Sequence, residues 1–313
     1  MNLLEIDRVS KYYAQHQALK EVSMNIPQGS IFGMLGPNGA GKTSLIRIIT
    51  QITGADTGEI RFDGERLAPR HIEQIGYLPE ERGLYKKMKV GEQLMYLAQL
   101  KGMSKRDAQA KLRFWFERFE IQDWWPKQVE DLSKGMQQKA QFIATVLHEP
   151  KLIILDEPFS GFDPINANLI KDEILRLRSL GSTIIFSTHR MESVEELCDY
   201  IALINKSEKV LEGPKKEIKH QYRTNTYEVV GQGVLGELPP DFEVLDVTGD
   251  EDHFEATIRA PHDRSANRLM AALLDRVELH VVQEKIPSMN EIFIRTVRGD
   301  MPELTTMASG LTE

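Results

Sequence analysis

The stretch Gly36-Pro37-Asn38-Gly39-Ala40-Gly41-Lys42-Thr43 constrains this chain more than any other. A short apolar run, Ser30 to Leu35, leads into it, and Thr43 to Gln51 follows with Leu45, Ile46, Ile48 and Ile49 at helical spacing. Strand, glycine-rich loop and helix in that order form a cradle for a polyphosphate. The glycines let the backbone turn its N–H groups inward, and the helix N-terminus adds partial positive charge. Lys42 is then placed to reach the β and γ phosphates, and Thr43 to offer Mg²⁺ a hydroxyl.

A second apolar run, Leu152 to Leu155, ends in the adjacent acids Asp156 and Glu157. A buried strand that finishes this way can hold one carboxylate near a metal and a second near an attacking water. Asp156 is the candidate for the metal, through water, and Glu157 for polarising the nucleophile. Loop and acid pair together specify a P-loop nucleoside triphosphatase and nothing narrower.

Around these motifs the spacing predicts strands at Leu3 to Val9, Ala18 to Ile26 and Gly58 to Phe62, the last closing at Asp63-Gly64. From Val90 to about Leu147 the pattern turns helical, with Leu94, Leu97, Ala98 and Leu100 on one face and Leu112, Trp115, Phe116 and Phe119 on another. An inserted helical subdomain is therefore expected over about 86–147. Trp115 is expected in its core, and Trp124 and Trp125, before Pro126, partly exposed. Thr183 to Ser187 returns to the short apolar run of a buried parallel strand, and Ile201 to Ile204 with Lys209 to Leu211 would finish the sheet. Gly213-Pro214 and a basic helical stretch, Lys215 to His220, mark a domain boundary. Beyond it, strands are expected at Thr226 to Val230, Glu243 to Val247, Phe254 to Ile258 and Leu279 to Gln283, with a helix from Ser265 to Leu274. The expected division is 1–215, a small α+β domain over 222–298, and a flexible tail over 299–313.

Composition narrows the setting. With 41% hydrophobic and 27% charged residues, the chain can bury a substantial core. A formal charge of −8 argues against a protein that coats nucleic acid. The single cysteine, Cys198, excludes an intrachain disulfide and matches a reducing compartment. Met1 to Lys11 lacks the basic head and apolar stretch of an export signal. No apolar run approaches the roughly 18 to 20 residues needed to cross a bilayer. A cytoplasmic location is expected, with any membrane-spanning part supplied by a partner.

Leu132-Ser133-Lys134-Gly135-Met136-Gln137-Gln138, at the start of a helix, resembles the signature of the ABC ATPases. Tyr13 matches that family's adenine-stacking aromatic, Ser160-Gly161-Phe162-Asp163 its D-loop, and His189 its switch histidine. The resemblance covers residues 1 to about 215. It implies an α/β P-loop NTPase cassette with a mixed-sheet core, an antiparallel β subdomain and an inserted helical subdomain, followed by the small α+β domain. It also implies ATPase activity with ATP and Mg²⁺, and a dimer, either a homodimer or paired cassettes, with ATP at the interface. By the same resemblance Glu157 and His189 are catalytic, while Tyr13, Gly36, Pro37, Asn38, Gly39, Ala40, Gly41, Lys42, Thr43 and Ser44 hold ATP. Thr43, Asp156 and Glu80 surround the metal, Ser133 and Gly135 of the opposite subunit touch the same γ phosphate, and Asp163 belongs to the D-loop.

Four positions depart from the family pattern: Lys134 replaces the usual Gly, Met136 and Glu80 each replace a usual Gln, and Phe162 replaces Leu. The loop Tyr77-Leu78-Pro79-Glu80-Glu81-Arg82-Gly83-Leu84-Tyr85 is similar to cassettes of the ABC-2 export branch, including those linked to sodium and drug efflux. Ile286-Pro287-Ser288-Met289-Asn290-Glu291-Ile292-Phe293-Ile294 resembles the closing helix of the accessory domain behind such cassettes. The implied function is to power export through a separate ABC-2 type membrane permease, from the cytoplasmic face and without nucleic acid. Two alternatives remain open here. One is a soluble ABC ATPase acting on DNA or the ribosome, against which Gln51 to Leu132 shows no sustained heptads and the chain carries one set of motifs. The other is a nucleotide-sensing module in which Glu80 has crippled turnover.

Overall fold

Two units divide the chain, Met1–Lys215 and Lys216–Glu313. The computed structural model describes residues 1–81, 83–261 and 266–299. Arg82, Ser265 as a helix start and the 300–313 part of the tail lie outside the described residues.

In the first unit, period-two patterning builds an antiparallel sheet. Val22, Met24 and Ile26 point inward while Ser23 and Asn25 do not. Its order is β2-β1-β4-β5, from β1 (Asn2–Tyr13), β2 (His16–Pro27), β4 (Thr57–Phe62) and β5 (Glu65–Arg66). β1 and β2 form a hairpin that ends with Tyr13 opposite His16.

The second sheet reads differently. In β3 (Ile31–Leu35), β7 (Leu152–Asp156) and β8 (Thr183–Ser187) every residue is buried, as expected of a parallel sheet covered on both faces. With β6 (Ile75–Leu78), β9 (Tyr200–Asn205) and β10 (Glu208–Pro214), the order is β10-β9-β3-β8-β7-β6, all parallel except β10. Tyr77 and Leu78, read from sequence as part of a loop, instead close the edge strand β6. Gly76 permits this: a Cβ there would lie 2.3 Å from the Thr145 carbonyl oxygen, so the chain can run close only without one. The core joins Leu4, Ile6, Val22, Met24, Phe32, Phe62 and Ile154, and α1 (Lys42–Ile49) supplies Leu45, Ile46, Ile48 and Ile49 from its apolar stripe.

The inserted segment is helical: α2 (Val90–Leu100), α3 (Lys105–Arg118) and α4 (Lys134–Val146). Ser104 caps α3 by accepting from the Asp107 amide at 3.1 Å. Trp115 packs edge-on against Phe119 and Phe142 inside. Trp124 contradicts its sequence-based expectation, being only 8% exposed. A short 3₁₀ turn, Gln122–Trp124, folds it back inward, where burial of so large a ring outweighs the polar neighbours. Trp125 is half-buried and lies over Gly91, where an added Cβ would fall 2.4 Å from its ring.

Helix α5 (Pro164–Ser179) starts with Pro164 in the first turn and Asp163 as its cap, accepting from the Asn166 amide at 2.9 Å. Its Glu173 is 1% exposed and takes Arg176 at 2.7 Å and Arg118 from α3, tying the inserted helices to the sheet domain. α6 (Met191–Leu197) and α7 (Lys215–Gln221) follow.

In the second unit β11 (Thr226–Gln232), β12 (Glu243–Gly249), β13 (Phe254–Arg259) and β14 (Glu278–Glu284) form one antiparallel sheet, order β12-β13-β11-β14. Val229, Phe254, Ala256 and Ile258 pack with Leu269 and Leu273 of α8 (Ala266–Leu273). α9 (Met289–Arg298) opens on a reciprocal Ser288–Glu291 capping box and stops at Gly299.

Candidate functional site

Parallel register delivers the motifs to one place. The glycine loop leaves the carboxyl end of β3, Glu80 follows β6, Asp156 and Glu157 end β7, and Thr188 and His189 follow β8. Strand ends on one edge of an open α/β sheet are where ligands bind. Here they surround a pocket of about 390 Å³ lined by Asn38, Gly39, Gly41, Lys42, Thr43, Ser44, Glu80, Asp156, Glu157 and His189, with Tyr13, His16 and Ala18 from the β1–β2 hairpin.

Two loop glycines are structural necessities. Gly36 and Gly41 have φ of 151° and 114°, and a Cβ on either would lie 2.2 Å from the Ile204 carbonyl oxygen or 2.4 Å from that of Ala18. Gly41 opens α1 with no side-chain cap, so the helix presents uncapped N–H donors at the pocket wall. The Lys42 ammonium donates to the carbonyls of Gly36 at 2.7 Å and Pro37 at 3.1 Å. Burial lowers its pKa, against the pull of Asp156, Glu157 and Glu80.

Glu157 is the most tightly held carboxylate in the pocket. Its Oε2 accepts from the Thr188 hydroxyl at 3.0 Å and its Oε1 from the His189 amide at 2.8 Å. His189 Nδ1 lies 2.6 Å from the same Oε1, although the imidazole is largely exposed. The backbone at Glu157 has φ 49°, a left-handed conformation uncommon for this residue type and of the sort found at functional sites. Burial pushes the Asp156 carboxyl up, and the negative charges of Glu80 and Glu157 act in the same direction. Burial likewise raises Tyr77 to about 12, with Asp156 adding to the effect.

Three sequence-predicted residues from beyond the phosphate loop do not line this pocket. Ser133 caps α4, accepting from the Met136 amide at 3.3 Å, and Asp163 caps α5. Gly135 packs on the loop before α5, where an added Cβ would sit 3.5 Å from the Gly161 carbonyl oxygen and 3.7 Å from the Phe162 ring. Gly36, Pro37 and Ala40 shape the loop without lining the cavity. Sequence reasoning missed His16, Ala18 and Thr188. Position opposite Tyr13 in the hairpin could have flagged His16, and adjacency to His189 could have flagged Thr188.

A larger recess of about 670 Å³, bordered by Lys111, Phe114, Trp115, Arg176 and Leu180, holds no motif residue. Volume alone would select it, but the convergence of ammonium, carboxylates, hydroxyls and helix N-terminus selects the smaller pocket. Among the described residues no three His, Cys, Asp or Glu side chains form a self-standing metal cluster. None of the described helices is long and apolar enough to cross a membrane.

Residues 19–160 match the family profile described as ABC transporter, and residues 213–297 match the C-terminal domain of DrrA1-3-like ATP-binding proteins. The chain is 41% identical over 295 residues to an uncharacterized ABC transporter ATP-binding protein, YhaQ of Bacillus subtilis, covering 94% of this chain and 98% of that one. It is 28% identical to the linearmycin resistance ATP-binding protein LnrL of the same organism, covering 95% and 100%. A solved ATP-binding subunit of an ABC transporter superposes with a TM-score of 0.66 at 29% identity, covering 70% of this chain and 93% of that one.

Proposed function

Because the chain belongs to the ABC transporter ATP-binding proteins, ATPase subunits that work with membrane permeases, we propose that it powers export through a separate ABC-2 type permease at the cytoplasmic face. Similarity to a resistance protein and the DrrA-like C-terminal domain support the export direction. Residues 222–298 would be the accessory domain of that branch, and 1–215 the cassette.

The observation that carries the reading is the clamped Glu157 beside Asp156 and Lys42, at the mouth of an uncapped helix. These groups fit a nucleoside triphosphate with Mg²⁺: an ammonium and helix N–H donors for phosphate, and hydroxyl and carboxylate oxygens of the kind a hard cation takes. Thr43, Asp156 and Glu80 would hold the metal, which would neutralise phosphate charge. Tyr13, 40% exposed, offers a ring face to the adenine, and Lys42 and the loop from Gly36 to Ser44 orient the phosphates. Glu157 would orient and polarise the attacking water. His189, with Nδ1 against Glu157, has Nε2 left for the γ phosphate.

Ser133, Gly135 and Asp163 take part in the opposite site. They do not line the pocket of their own chain, and by the family resemblance a second cassette would present them to it, with ATP holding the pair together. Hydrolysis then lets them separate. Glu157→Gln is expected to retain ATP binding, lose turnover and accumulate a stable dimer on ATP, read by phosphate release and size-exclusion chromatography. Near-normal hydrolysis by that variant would refute Glu157 as the base. Co-extraction with a polytopic protein in detergent tests the permease.

A further inference from the structure

We propose that Glu80 makes this pocket selective for metal-bound triphosphate and against the free polyanion, a specificity that rests on the nucleotide-site reading above. The geometry begins with register. β6 and β7 run parallel with Leu78 beside Leu155, so the residue two places beyond each member of that pair, Glu80 on one strand and Glu157 on the other, emerges at the same edge. Both line the pocket, together with Asp156.

Three carboxylates thus share with one ammonium, that of Lys42, the pocket where phosphates would lie. The field of Glu80 reaches this centre: it favours the protonated forms of Lys42 and Asp156. A triphosphate without metal brings further negative charge to the same oxygens, and like charges at close range oppose binding. A divalent cation offsets phosphate and carboxylate together. A glutamine at position 80 would keep an oxygen donor and remove the repulsion. Within one pocket, at an effective dielectric between those of protein and water, one unit charge against a polyanion is worth on the order of tenfold in affinity.

The test is equilibrium binding of ATP to the full-length chain by calorimetry, in excess EDTA and in saturating Mg²⁺. It compares the native protein with Glu80→Gln and with Glu81→Gln, the exposed neighbour that carries the same charge outside the pocket lining. Glu80→Gln is expected to lower the ratio of metal-free to Mg²⁺ dissociation constants by about tenfold, through tighter metal-free binding, with the Mg²⁺ value moving less than about threefold. Glu81→Gln is expected to leave the ratio within about twofold. The proposal is overturned by an unchanged ratio in Glu80→Gln, by an equal effect of Glu81→Gln, or by a ratio that falls because Mg²⁺-ATP binding weakens. Absence of ATP binding under both conditions in the native chain would instead overturn the nucleotide site itself.

Discussion

The two units of this chain bury their sheets in different ways, and the difference locates the chemistry. In the first, β3, β7 and β8 are buried at every residue, and their common direction brings a glycine loop, two acids and a histidine to one edge. In the second, the antiparallel sheet alternates direction, so strand ends are shared between its two edges, and β12 is exposed at all seven positions. A parallel sheet concentrates functional groups; an antiparallel one with a single packed face offers stability and surface. The first unit accordingly carries the buried charges Lys42, Asp156, Glu157 and Glu173, and the second keeps its ion pairs, such as Arg259–Glu243, at the surface.

Substitutions can break or sharpen this contrast. The largest effect is expected from Glu157→Gln, with phosphate release falling at least about a hundredfold and the fold unchanged by circular dichroism. Gly41→Ala comes next. Its Cβ would collide with the Ala18 carbonyl at a φ of 114°, so a stability loss of about 3 kcal/mol and impaired ATP binding are expected from melting and titration. Two core truncations then probe the units separately. Ile46→Ala and Leu269→Ala, both at fully buried positions, should each cost about 3 kcal/mol within their own unit by denaturant unfolding. Only Ile46→Ala should weaken ATP binding; a matching loss in Leu269→Ala would break the contrast.

The smallest effect concerns acid stability. Burial, helped by Lys101, depresses His148 in the first unit to about 4. Below its unfolded value of 6.5 the unfolded chain takes up a proton that the folded chain refuses until about 4. The stability contribution is therefore present above 6.5 and is lost as pH falls toward 4. His148→Gln should flatten the pH dependence of stability, by about 1–2 kcal/mol between pH 6.5 and 5, in urea titrations.

Much of the fold was legible because its signals are local. Glycines at a strand–helix junction, apolar runs ending in acids, and Asp163 before Pro164 each act through their immediate neighbours. Edge strand β6 escaped because it is four residues long, contains Gly76 and is held by a long-range pairing with β7. Trp124 was misplaced because a local polar context says nothing of the hydrophobic surface onto which a turn folds.

The amino-acid sequence by itself determined the phosphate loop, the acid pair and the family, since backbone turns and residue spacing need no distant partner. Only the tertiary structure decided that Glu80 shares a pocket with Asp156 and Glu157, that Thr188 and His189 grip Glu157, and that Ser133 and Asp163 do not line that pocket. Those relations depend on the register of strands separated by scores of residues, and register is settled by the packing of the whole sheet.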